Sequence, residues 1–164
     1  MKTLTLVRHA KSSWKDTGLR DSERPLNRRG ERDAPEMGQR IVAAGIRPSQ
    51  IVSSPAVRAW TTAKVIAGEI GYPIEFLQRE DDLYLASLDT LLDVVAAQEA
   101  EFNNLMLVAH NPGITEFANY LSPGITDNVP TAGVVSVEID RDDWLLYERP
   151  QTRLVTYDYP KKHP

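Results

Sequence analysis

Leu105–Met106–Leu107–Val108–Ala109–His110–Asn111–Pro112–Gly113 is the stretch that decides the fold class. Five apolar residues in succession leave no polar face. Such a strand must be covered on both sides, as a central strand is in a parallel sheet flanked by helices. The run ends at His110. Asn111–Pro112 then reads as a helix start: a capping side chain, then a residue whose fixed φ and missing N–H cost nothing in a first turn. Strand, polar corner and helix together form the repeating unit of an α/β domain.

The same alternation extends outward from this stretch. Leu4–Val7, Gln50–Val52 and Ile74–Leu77 read as further strands. Leu88, Leu91, Leu92 and Val95 recur at helical spacing, as do Ile114, Phe117, Ala118 and Leu121. Ala34, Met37, Ile41 and Ala44 form a weaker stripe interrupted by Pro35, which predicts a helix beginning near Asp33. The later part changes character. Val134–Ile139, Trp144–Glu148 and Arg153–Tyr157 read as three short strands, with Asp140–Arg141–Asp142 turning between the first two. The pattern predicts a three-layer αβα sandwich whose mixed, mostly parallel sheet carries helices on both faces and ends in an antiparallel portion. The 164 residues fit one domain, drawn at 1–157. Residues 158–164, ending Pro160–Lys161–Lys162–His163–Pro164, read as a disordered tail.

Composition removes several classes of function. The chain has no cysteine, which excludes a disulfide framework, a thiolate zinc site and a thiol nucleophile. The formal charge of −4 and the lack of a long basic run argue against nucleic acid as a partner. No segment is long and apolar enough to span a bilayer, and the first residues do not resemble a signal peptide. The expectation is a soluble, cytoplasmic protein with no membrane partner. No carboxylate and histidine spacing reads as a metal site, so neither metal nor cofactor is expected.

In open α/β sheets, ligands bind beyond the carboxyl ends of the strands. The first strand is followed by Arg8–His9. The second is followed by Ser53–Ser54–Pro55–Ala56–Val57–Arg58, where Ser54 and Pro55 read as cap and first helical residue and Arg58 falls in the first turn. The apolar run opens onto His110. Helix N-termini and arginines both favour anions, and the arginine fork holds two phosphate oxygens at once. Taken singly, each residue has an ordinary explanation: a packed histidine, a solvated arginine, a common helix start. Together, two of only three histidines and two arginines at neighbouring strand ends describe a phosphate pocket.

These residues resemble a known family. Arg8–His9–Ala10–Lys11–Ser12 after a first strand is similar to the Arg-His-Gly signature of the histidine phosphatase superfamily, whose fold is phosphoglycerate mutase-like. Ser53–Ser54–Pro55 with Arg58, and His110 after an apolar strand, match its other landmarks. The short length, Arg24–Pro25–Leu26–Asn27–Arg28–Arg29–Gly30 and His110–Asn111–Pro112–Gly113 resemble the SixA-type phosphohistidine phosphatases. The resemblance implies a metal-independent phosphatase in which His9 accepts the phosphoryl group and Arg8, Arg58 and His110 hold it. It also implies a substrate pocket that includes Ser12, Arg24 and Asn111. The implied partner is a phosphorylated protein, with phosphohistidine as the group removed. Small phosphate monoesters such as sugar phosphates are one alternative, and a non-catalytic phosphate-binding module is another. Ala10 stands where the family has glycine. Many larger members place a general acid after the third strand. Here that stretch is Arg79–Glu80–Asp81–Asp82–Leu83–Tyr84–Leu85–Ala86, with Leu85 near the acid's place and Glu80, Asp81 and Asp82 as candidate acids.

Overall fold

The computed structural model describes residues 1–163. Six strands form one sheet: β1 (Lys2–Arg8), β2 (Gln50–Ser53), β3 (Gln78–Arg79), β4 (Asn104–Ala109), β5 (Val134–Ile139) and β6 (Thr152–Asp158). Their spatial order is β3-β2-β4-β1-β5-β6. The first four run parallel, and β5 and β6 add antiparallel at one side. Four helices cover the sheet: α1 (Arg28–Ala43), α2 (Val57–Ile70), α3 (Leu88–Ala96) and α4 (Gly113–Leu121).

The all-apolar β4 is central, and its residues divide between two cores. Leu105, Leu107 and Ala109 join Leu91, Ile114 and Phe117 under α3 and α4. Met106 and Val108 join Ala34, Met37, Ala63 and Ile66 under α1 and α2. This is the expected three-layer αβα sandwich. Each fully buried Leu, Ile or Phe contributes about 1.5–3 kcal/mol relative to leaving it in water.

Four boundaries differ from the sequence reading. Ile74–Leu77 is not a strand. Ile74–Phe76 closes a 3₁₀ turn in which Phe76 N–H donates to Pro73 O, and only Gln78–Arg79 pairs with β2. Both apolar side chains of the turn are largely exposed, so no burial favours extension. Trp144–Glu148 alternates buried and exposed like a strand but pairs with nothing. The Tyr120 hydroxyl donates to the carbonyls of Leu146 and Tyr147 instead, and Trp144 Nε1 donates to Phe102 O. Helix α1 begins at Arg28 rather than near Asp33, because Asn27 Oδ1 accepts from Gly30 N–H and caps it. Pro35 lies inside that helix. The carbonyl it leaves unpaired is that of exposed Glu31, where water can serve. Strand β6 reaches Asp158, and Pro160–Lys162 form a 3₁₀ turn tied to α1 by Arg40, which donates to Tyr159 O and Pro160 O; this part of the expected tail is ordered.

Two close approaches fix the loops at the carboxyl end of the sheet. A Cβ on Gly30 would sit 2.2 Å from Lys11 O, so α1 can rest on the loop after β1 only because that residue has no side chain. A Cβ on Gly113 would sit 2.2 Å from Ala86 O, which seats the start of α4 against the loop after β3. The segments carrying His9, Arg24, Tyr84 and His110 are thereby packed against one another.

Candidate active site

The parallel ladder continues past the strand ends. His9 N–H donates to Ala109 O at 3.1 Å, and Ser54 N–H donates to Val108 O at 3.0 Å. His9 and Ser54 therefore flank His110. The two histidine rings lie 5.2 Å apart between centroids. Sequence reasoning expected the two histidines to meet, and they do.

His9 is 8% exposed, and its Nδ1 lies 2.8 Å from Ala10 O. A carbonyl can only accept, so Nδ1 carries the proton and Nε2 keeps a free lone pair. Burial pushes the His9 pKa down to about 4, helped by the charges of Arg58, Arg8 and Arg24 and opposed by the bond to Ala10. His110 is pushed to about 3, first by burial and then by His9 and Arg58. Its Nε2 meets Ser54 Oγ at 2.7 Å, while its Nδ1 is buried without a hydrogen-bond partner. Ala10 is fully buried, does not adopt positive φ, and donates its N–H to Thr62 Oγ1. Alanine thus fits where the family has glycine.

Arg58 sits in the first turn of α2. That helix starts at Val57 with Ala56 as its cap rather than Ser54, whose hydroxyl is drawn toward His110. The Arg58 guanidinium donates to Asp21 twice, from Nη1 to the backbone O at 2.7 Å and from Nη2 to Oδ2 at 2.9 Å. Arg8 donates from Nη1 to Val129 O, and its Nε is buried without a partner. Arg24 donates to Asp21 Oδ1, Ser12 Oγ and Ser13 O, with the exposed ring of Trp14 3.3 Å above it. Ser12 and Arg24 are thus joined beside His9. Asn111 is not part of that group. Its Oδ1 caps α4 through Thr115, and its Nδ2 donates to Asn128 Oδ1 and Val129 O, so its amide holds the loop that Arg8 touches.

Glu80, Asp81 and Asp82 do not reach the cluster. Glu80 caps its own turn at Asp82 N–H, Asp81 and Asp82 are exposed, and none forms an ion pair. The side chain of this segment that meets the cluster is Tyr84, whose ring lies edge-on to His110 at 5.5 Å. Its hydroxyl donates to Asp21 Oδ2 at 2.5 Å. That bond, with those from Arg24 and Arg58, holds the Asp21 carboxyl far below the usual carboxylate range, against a smaller opposing effect of burial. Asp21 and Tyr84 were missed in the sequence. Asp21 lies in a mixed-charge loop that reads as solvated, and its one signal is the i,i+3 spacing to Arg24. Among the described residues, no cluster of three or more His, Cys, Asp or Glu side chains is arranged to hold a metal ion. Among the same residues, no helix is long and apolar enough to cross a membrane. A groove of about 740 Å³ lies at the opposite end of the sheet between Ile46, Tyr72 and Phe102, and contains none of these residues.

The sequence model of the histidine phosphatase superfamily (branch 1) matches residues 4–106. The chain belongs to the histidine phosphatase superfamily. The matched span stops short of His110, whose place beside His9 is a result of the fold. An uncharacterised chloroplastic protein of Arabidopsis thaliana is 30% identical over 151 residues, covering 87% of this chain and 69% of that one. The Agrobacterium tumefaciens structure assigned as phosphohistidine phosphatase SixA is 28% identical and covers 97% of this chain and 98% of its own, with a TM-score of 0.82. The protein histidine phosphatase SixA complexed with tungstate has a TM-score of 0.80 at 18% identity, covers 98% of each chain, and shares the fold. This histidine phosphatase therefore has SixA-type architecture and is a phosphatase hydrolase.

Proposed function

We propose that this histidine phosphatase removes phosphate from phosphohistidine in a protein, without a metal, through a phosphoryl group carried on His9. The free lone pair on His9 Nε2 attacks phosphorus, and the bond to the leaving group breaks with its electron pair. Phosphorylated His9 keeps its Nδ1 proton on Ala10 O. Water then attacks phosphorus, the electron pair of the P–N bond returns to Nε2, and the proton of water goes to the departing phosphate. Arg8, Arg58 and His110 hold the phosphoryl oxygens, and Ser12 and Arg24 line the entrance. An oxyanion offers an acceptor to Arg8 Nε, which no protein group satisfies. The tungstate held by a protein of the same fold is an anion of that kind. A cytoplasmic location goes with this reading.

One observation carries the choice of substrate. The only carboxylate bonded to Arg24 or Arg58 among the described residues, that of Asp21, is kept as an anion by three donors and has no proton to give. General acid help is typically worth ~10²–10⁴-fold in rate. An alkyl phosphate leaves as a basic alkoxide and needs that help. Phosphohistidine leaves as imidazole, whose ring takes a proton from solvent near ~6.5. The test is a metal-free comparison of a phosphohistidine peptide, aryl phosphates of graded leaving-group pKa, and glucose 6-phosphate. The expected result is a steep leaving-group dependence with the sugar phosphate poorest. A flat dependence with efficient sugar phosphate hydrolysis sinks the proposal in favour of a small-ester phosphatase.

A further inference from the structure

Asp21 is an acid placed in an anion site. It repels a phosphate dianion, so its presence calls for a compensating role. Holding Arg58 is one role, but the Asp21 backbone carbonyl already takes Nη1 of that arginine. A carboxylate offers about four acceptor positions. Arg24, Arg58 and Tyr84 fill three. The side chain is 42% exposed, so the remaining position is open to a ligand. Asp21 is bonded to Arg58 and to Tyr84, whose ring meets His110, so that position lies at the edge of the histidine and arginine cluster.

We propose that Asp21 is a specificity-determining residue whose carboxylate accepts the ring N–H of the leaving imidazole and so selects phosphohistidine over phosphate esters. The inference rests on the phosphohistidine reading above. In the reactive form the phosphorylated ring carries a proton on its other nitrogen and is a cation. As the P–N bond breaks, its electron pair returns to the ring and cancels that charge. The ring leaves as neutral imidazole with its N–H intact, so no proton moves at Asp21. The carboxylate acts before the bond breaks: an adjacent anion raises the ring's affinity for its proton and keeps the reactive form populated above its solution pKa. The charged and titratable groups facing Asp21 are Arg24 beside its own turn, Arg58 on α2, Tyr84 after β3 and His110 after β4. An ester has no N–H at this position and gains nothing from the carboxylate.

The test compares phosphoimidazole with p-nitrophenyl phosphate across pH, for the unaltered chain and for Asp21→Asn. The expected result is a fall of about 10–100-fold in the ratio of the two kcat/KM values, the usual effect of losing a hydrogen bond to a charged group. The alkaline limb of kcat for phosphoimidazole should move to lower pH in the variant. Equal losses on both substrates with an unmoved limb would mean that Asp21 only holds Arg58, and would overturn the inference while leaving the phosphohistidine reading intact. Preference of the unaltered chain for esters would overturn both. A second measurement needs no variant: phosphoimidazole methylated on the distal nitrogen keeps the charge but has no N–H. Measured against uncatalysed hydrolysis, it should be accelerated about tenfold less or worse; equal acceleration overturns the inference.

Discussion

His9 and His110 face each other at 5.2 Å, and neither ring is bound to the other. Each is held from behind by a different partner, Ala10 O for His9 and Ser54 Oγ for His110. His9 Nε2 and His110 Nδ1 are thereby left without a hydrogen-bond partner among the described residues. Both rings are neutral at ordinary pH, so one can act as nucleophile and the other as a hydrogen-bonding partner without mutual charge repulsion.

His9→Ala should remove turnover of every phosphate substrate by orders of magnitude while the fold persists, because the group that carries the phosphoryl is lost. Rapid acid-free quenching of the unaltered chain should trap an acid-labile, base-stable label at His9. Retention of most activity in the variant would exclude the covalent route.

Arg58→Ala should slow kcat by about 10²–10³-fold, the effect of deleting one donor that meets developing charge. Vanadate should bind more weakly to the variant, and the rate of the unaltered chain should withstand chelators. Titration of vanadate inhibition and dialysis against chelator check both points. Activity that returns only with added divalent metal would assign another mechanism.

The two histidines should also set how stability responds to acid. Their folded pKa values are lowered to about 4 and about 3. In the unfolded chain they protonate near ~6.5. The unfolded state therefore binds protons that the folded state refuses. This contribution to stability is fully present above about 6.5 and is lost as pH falls toward the folded values. Each histidine adds about 1.4 kcal/mol per pH unit within that window. Urea unfolding at a series of pH values should show the slope, and His110→Gln should remove about half of it in the upper part of the window. An unchanged slope would mean that His110 is not held neutral.

Gly30→Ala should damage the site from a distance. The new methyl group meets Lys11 O, a backbone atom that cannot swing aside. Such overpacking typically costs about 1–3 kcal/mol, which lowers Tm by a few degrees for each kcal/mol in a domain of this size. Because the displaced loop carries His9 to Ser12, kcat/KM should fall as well. Differential scanning calorimetry with a parallel rate measurement would show whether the two losses occur together.

Much of this was legible in the sequence, for identifiable reasons. Leu105–Ala109 could only be a doubly covered strand, and once it was central, the ends carrying His9, Arg58 and His110 had to converge. Trp144–Glu148 misled because alternation reports which side chains are buried. It does not report what the backbone bonds to, and here Tyr120 takes the carbonyls. Helix α1 starts earlier than Pro35 suggested because the Asn27 side chain caps it. Asp21 and Tyr84 were hidden for a different reason. They lie 63 residues apart and are joined only by the packing of two loops. Glu80, Asp81 and Asp82 drew the acid role from the family resemblance, although the residue of that segment that meets the cluster is Tyr84.

The pairing of β1 has a consequence for how the chain is made. Leu4 and Leu6 pair with Leu105 and Leu107 on one side and with Val137 and Val135 on the other. On a ribosome extending at about 5–20 residues per second, β1 waits roughly 5–20 s for its first sheet neighbour to be synthesised. During that interval an apolar strand with two open edges is exposed, together with the histidine that follows it. Nascent chains halted before β4 should therefore bind chaperones or aggregate, and phosphatase activity should emerge only after translation has passed β5.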